Sequence, residues 1–132
     1  MSRVLGILGG GQLGLMMILE SRKLGIRFLV HDEDLEAPAM GVADGKYIGD
    51  SWRELVHKSD VVTFEFEHVN PPNAVSTADS LGKLRPNSLT IWLKQDKIRE
   101  KVFLRDNGFP IPNFMVVDGP EDVDRASSDL GG

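Results

Sequence analysis

The chain has 132 residues, enough for one domain with a core of its own. Apolar residues make up 41%, and 20 acidic against 15 basic side chains leave a net charge of −5 with no basic cluster, a balance that argues against nucleic acid as a partner. The lack of cysteine excludes disulfides and thiolate metal sites. No stretch reads as a signal peptide or approaches the roughly 20 apolar residues that span a bilayer, so a cytoplasmic protein with no membrane partner is expected.

Val4-Leu5-Gly6-Ile7-Leu8 has the character of a buried parallel strand. It runs into Gly9-Gly10-Gly11-Gln12-Leu13-Gly14 and then into a helix-like stretch, Leu15 to Glu20. Strand, glycine turn and helix together make a nucleotide-type binding element that fits G-x-G-x-x-G through Gly9, Gly11 and Gly14. The glycines leave no Cβ in the way of a tight turn, and a helix N-terminus offers unpaired N–H groups and a partial positive charge to a phosphate. The expected ligand is a phosphorylated small molecule; the competing reading is a tight turn whose glycines serve close packing alone.

Gly25 is placed to end the first helix, and Arg27 to Asp32 reads as a second strand. Ala37 to Val42 is a short helical turn entered through Pro38, and Lys46 to Ile48 a short strand. Ser51 and Glu54 form a capping-box pattern ahead of a helix through Leu55 and Val56. Asp60 to Phe64 is a buried strand, Pro71-Pro72 opens a helix, and Leu84-Arg85-Pro86 is a candidate short strand. Asn87 or Ser88 caps a helix carrying Leu89, Ile91, Trp92 and Leu93. The spacing then predicts a helix over Asp96 to Asn107 that buries Ile98, Val102, Phe103 and Leu104 and ends at Gly108. An extended connector, Phe109 to Pro112, leads to a strand-like Phe114 to Val117 and a last helix over Glu121 to Leu130. Met16, Met17 and Trp92 read as core. The β-α-β-α-β-α order implies an α/β fold, a Rossmann-like, doubly wound parallel sheet with helices on both faces. A boundary is expected near Gln95 to Lys97, and the chain ends as the second domain begins, the pattern of a fragment.

Asp32 lies 18 residues past Gly14, where an acid can bond a ribose 2′-OH, or it is a solvated acid of the turn Asp32-Glu33-Asp34. Glu65-Phe66-Glu67-His68-Val69 directly follows a strand, where ligands of open parallel sheets sit. Alternation puts Glu65 and Glu67 on one side while the chain stays extended. Glu67 is the favoured ligand contact, against a reading of the pair as a helix-capping acid and a surface acid. His68 reads first as structural. Lys97 opens a helix where the dipole disfavours a cation, which points to an anionic partner such as an ATP phosphate or to a plain surface lysine. His31 and His57 carry no ligand-like spacing, and nothing resembles a metal site.

The glycine block followed by Met16, the block Glu65 to Val69, and Gln95-Asp96-Lys97 with Glu100-Lys101 resemble, in order, the N-terminal region of the N5-carboxyaminoimidazole ribonucleotide synthetase family of ATP-grasp enzymes. Gly108 to Pro112 is also similar to the segment that follows in that family. The resemblance implies a pre-ATP-grasp domain over 1–95 and the start of an ATP-grasp domain over 96–132. It implies de novo purine synthesis, with ATP- and bicarbonate-dependent carboxylation of 5-aminoimidazole ribonucleotide. Gly11, Gln12 and Leu13 would help hold the ribonucleotide, Glu67 would contact it, and Lys97 would meet ATP phosphates. Mg²⁺ ligands would lie outside this chain, so catalysis by this segment alone is not expected. The family is generally dimeric, but no homodimer interface is read from these residues. The family commonly has Arg where this chain has Leu15, which puts phosphate affinity in question. The rival readings are an NAD(P)-dependent oxidoreductase with Asp32 on the adenosine ribose, and a non-catalytic ligand-binding module.

Overall fold

The computed structural model describes residues 3–131. The chain forms two compact units, Met1–Trp92 and Leu93–Gly132. In the first, β1 (Val4–Leu8), β2 (Arg27–His31), β3 (Gly45–Tyr47) and β4 (Val61–Phe64) make one parallel sheet in the order β3-β2-β1-β4.

Strand alternation sorts the apolar side chains to two faces. Ile7, Phe28 and Val30 pack with Ile18 of α1 (Gln12–Ser21) and with Ala39 and Met40 of a 3₁₀ turn, Pro38–Val42. Leu8, Leu29 and Val62 pack on the other face with Trp52, Leu55 and Val56 of α2 (Trp52–Lys58) and Ala74 and Ala78 of α3 (Pro72–Ser80). Two cores on opposite faces of one parallel sheet are the α/β, doubly wound arrangement expected from the element order. A further helix, α4 (Ser88–Lys94), begins where Asn87 Oδ1 accepts the Thr90 N–H at 3.1 Å.

Several local expectations are corrected. Ser51 has αR backbone and its side chain makes no cap hydrogen bond, so no capping box forms; its hydroxyl donates to the Ile48 carbonyl at 2.6 Å. Leu84 contributes one isolated parallel bridge to Val62 in place of a strand. Met16 is exposed because α1 turns its Gly14–Ile18 stripe to the sheet, and Trp92 is exposed although its neighbour Ile91 is buried.

The second unit holds α5 (Lys97–Asp106) and α6 (Val123–Leu130), the latter entered through a 3₁₀ turn, Pro120–Asp122. Phe114 to Val117 forms neither helix nor strand. Ile98 and Phe103 are 49% and 41% exposed, and none of the four apolar residues expected to be buried on α5 is so. Among the described residues of this unit no sheet forms, so that stripe has no second layer to pack against. Among the described residues no helix is long and apolar enough to cross a membrane.

Candidate functional site

β1 lies between β2 and β4, and the chain leaves β1 first toward β2 and β3 and returns to β4 on the other side. This reversal opens a crevice beyond the carboxyl end of β1, the usual ligand position in such sheets. The register pairs Leu8 with His31 on one side and with Phe64 on the other. The glycine loop therefore emerges between Asp32 and Glu65, the residues that follow those two strand ends.

Both acids reach into the loop. Gly9 N–H donates to the His31 carbonyl at 2.9 Å, and Gly10 N–H to Asp32 Oδ2 at 2.6 Å. Gly11 N–H donates to Glu65 Oε2 at 2.7 Å, and Leu13 N–H to Glu65 Oε1 at 2.9 Å. The expectation of open N–H groups at the start of α1 is thus corrected: Glu65 already occupies two of them, where a carboxylate complements the helix dipole. Each such bond to a charged group contributes about 1.5–3 kcal/mol. The other oxygen of Asp32 accepts the Asp34 N–H at 2.9 Å, within the turn Asp32-Glu33-Asp34, so both of its oxygens serve the backbone.

The glycines make room for these acids. Gly9 has φ +102°, a conformation costly for other residues, and a Cβ there would lie 2.9 Å from Glu65 Cβ. A Cβ on Gly11 would lie 2.5 Å from Glu65 Oε1. Close packing explains both positions, whatever the loop also holds.

Beside the loop is a cleft of about 180 Å³ lined by Gly9, Asp32, Phe66, His68 and Asn70 among others. His68 is exposed at its wall. Gln12 and Leu13 are exposed in the first turn of α1. The chain bends directly after Phe64, so the alternation that would align Glu65 with Glu67 lapses; Glu67 is half-buried on the bent segment. The sequence allows one of the two acids to be a helix cap and favours Glu67 as the ligand contact; the structure shows that Glu65 is the one bonded to the helix start. The decisive fact, the register of β4 beside β1, is not a local property of the sequence.

Lys97 lies in the second unit. Its Nζ bonds Glu100 Oε2 at 2.9 Å, and Lys94 Nζ bonds Glu100 Oε1 at 2.5 Å. Hydrogen bonds from Lys94 and then Lys97 hold the Glu100 carboxyl down at about 2. Asp96 caps α5 by accepting the Arg99 N–H at 3.0 Å, and this bond lowers its pKa. Among the described residues no three His, Asp or Glu side chains form a group that could hold a metal ion.

Residues 1–95 match the ribonucleotide synthetase preATP-grasp domain family. The N5-carboxyaminoimidazole ribonucleotide synthase of Aquifex aeolicus is 44% identical over 123 residues, which are 93% of this chain and 33% of that protein. The solved phosphoribosylaminoimidazole carboxylase ATPase subunit from Aquifex aeolicus superposes with a TM-score of 0.79 at 44% identity, covering 92% of this chain and 36% of that one. The carboxyaminoimidazole ribonucleotide synthase of Aspergillus clavatus, solved in complex with ATP, gives a TM-score of 0.76 at 33% identity and covers 97% of this chain and 35% of its own. This chain spans about a third of the length of the curated relatives it matches. A doubly wound sheet with the glycine loop at its switch point, and a match over all of residues 1–95, place the chain in the ribonucleotide synthetase preATP-grasp domain family.

Proposed function

We propose that this chain is the ribonucleotide-binding front part of an N5-carboxyaminoimidazole ribonucleotide synthetase, an ATP-dependent carboxylating C–N ligase of purine biosynthesis. In the longer protein, bicarbonate attacks the γ-phosphoryl group of ATP to give carboxyphosphate and ADP. The exocyclic amine of 5-aminoimidazole ribonucleotide then attacks the carboxyl carbon, phosphate leaves, and the amine loses a proton. The observation that carries this reading is the 44% identity to the Aquifex aeolicus synthase over 93% of the chain.

Under this reading residues 1–95 form the ribonucleotide domain and 96–132 begin the ATP-grasp domain. Gly11, Gln12 and Leu13 hold the ribonucleotide, with the exposed Gln12 amide as the polar contact that Glu65 leaves available. Glu67 accepts from a hydroxyl or amine of the same ligand. Lys97 exchanges Glu100 for an ATP phosphate. Mg²⁺, when bound, would supply charge neutralisation at the phosphates, and it is assigned no ligand in this chain. The protein is cytoplasmic, and the full-length enzyme is a homodimer.

Calorimetric titration of the chain with 5-aminoimidazole ribonucleotide and, separately, with NADH tests the proposal. The expected result is binding of the ribonucleotide, weakened about tenfold by Glu67→Gln through loss of one charge-assisted hydrogen bond. Preference for NADH would overturn it.

A further inference from the structure

The Glu65 carboxylate is anchored twice. Its backbone N–H donates to the Leu8 carbonyl at 3.0 Å, at the end of β1, and its side chain accepts from Gly11 and Leu13. One residue thus ties the end of the strand, the glycine loop and the first turn of α1 to the segment after β4. On the opposite side the loop is held by the Gly9 and Gly10 N–H bonds to His31 and Asp32, and by the Ala39 N–H to the Gly10 carbonyl at 2.7 Å. Three successive glycines are the most flexible run a chain can hold, and fixing them costs more backbone entropy than fixing other residues. On the β4 side, Glu65 is what fixes them. The missing Cβ atoms of Gly9 and Gly11 form the notch that it fills.

We infer that Glu65 is a positioning residue: it sets the conformation of the Gly9–Leu13 loop, so that Gln12 and Leu13 are presented to ligand already ordered. Its oxygens are spent on two backbone amides, and it acts through the loop. The ligand side of this inference rests on the ribonucleotide reading proposed above; the loop-setting side stands on the hydrogen bonds alone. A pre-ordered loop binds more tightly because the ordering cost is met on folding.

The test compares the wild-type chain with Glu65→Ala and Glu65→Gln by amide hydrogen exchange and by affinity for 5-aminoimidazole ribonucleotide. In Glu65→Ala, the Gly11 and Leu13 amides are expected to exchange faster while Ile7 and Val30 in the sheet keep their protection. Affinity is expected to fall about tenfold to a hundredfold. Gln keeps one acceptor oxygen, so Glu65→Gln should protect one of the two amides and bind with intermediate affinity; it also serves if the Ala variant fails to fold. Unchanged exchange at Gly11 and Leu13, or wild-type affinity in a variant with a loosened loop, would overturn the inference. So would loss of protection across the whole sheet in both variants, which is a purely structural role. If the wild-type chain does not bind the ribonucleotide, the functional reading fails, and exchange at Gly11 and Leu13 still decides whether Glu65 sets the loop.

Discussion

Leu13 donates its backbone N–H to Glu65 Oε1 at 2.9 Å, across 52 residues of sequence. The bond exists because β1 and β4 are parallel neighbours in register, which brings the residue after one strand against the helix that follows the other. An N-terminal helix turn that would otherwise attract an external anion thereby carries an internal one. Under the proposed function, recognition at this loop falls to side chains such as Gln12 and to the ligand's uncharged groups, more than to the helix dipole.

Gly11→Ala tests that packing directly. The new methyl would lie 2.5 Å from Glu65 Oε1, so the carboxylate must leave at least one amide. Leaving a partly buried N–H without an acceptor costs about 1–3 kcal/mol. Urea denaturation should show a loss of that size, and the same substitution in a Glu65→Ala background should cost less, because the clash is gone.

The assignment of the two faces of α1 makes a second prediction. Ile18 is fully buried beside Phe28, whereas Met16, on the same helix, is 55% exposed. Ile18→Ala should destabilise the chain by about 2–5 kcal/mol. Met16→Ala should stay within about 0.5 kcal/mol of wild type. Equal effects in thermal or chemical denaturation would mean that α1 is rotated from the position described.

Acid titration addresses Glu100. Its folded pKa, about 2, lies below the ordinary 4.5 because Lys94 and Lys97 bond the ionised form. A depressed carboxyl stabilises the fold above its unfolded pKa, and that contribution disappears as pH falls through the folded value. The stability difference between wild type and Glu100→Gln should therefore be constant near neutral pH and shrink between 4.5 and about 2. Exposed lysines are screened by salt, so the difference should also shrink at high ionic strength. A carboxyl titration midpoint near 4.5 in NMR would show that the two lysine bonds do not form in solution.

Local pattern made much of the sheet legible. Val4 to Leu8 and Arg27 to His31 are short apolar runs bounded by turn residues, and both are strands in the structure. Pro38 and Pro72 each open the helical turn or helix expected of them. Phe114 to Val117 has strand composition too, but a strand needs a partner edge, and none pairs with it here. Ser51 misleads through its backbone: it closes the 3₁₀ turn Gly49–Ser51 in αR conformation, without the extended backbone that aims a capping oxygen at the helix amides. At the site, the glycine loop announced itself through residue type, while Glu65 and Asp32 acquire their roles from tertiary register. An acid immediately after a strand, in a sheet whose central strand ends in glycines, is the available signal. It becomes decisive only once the strand order is known.

The most direct measurement is a two-dimensional amide spectrum of the isotopically labelled chain titrated with 5-aminoimidazole ribonucleotide. Saturable shifts at Gln12, Leu13 and Glu67, with the core amides of Phe28 and Val62 unmoved, are the expected result. No saturable shift, or shifts confined to residues away from the carboxyl ends of β1 and β4, would contradict a ribonucleotide site at the glycine loop.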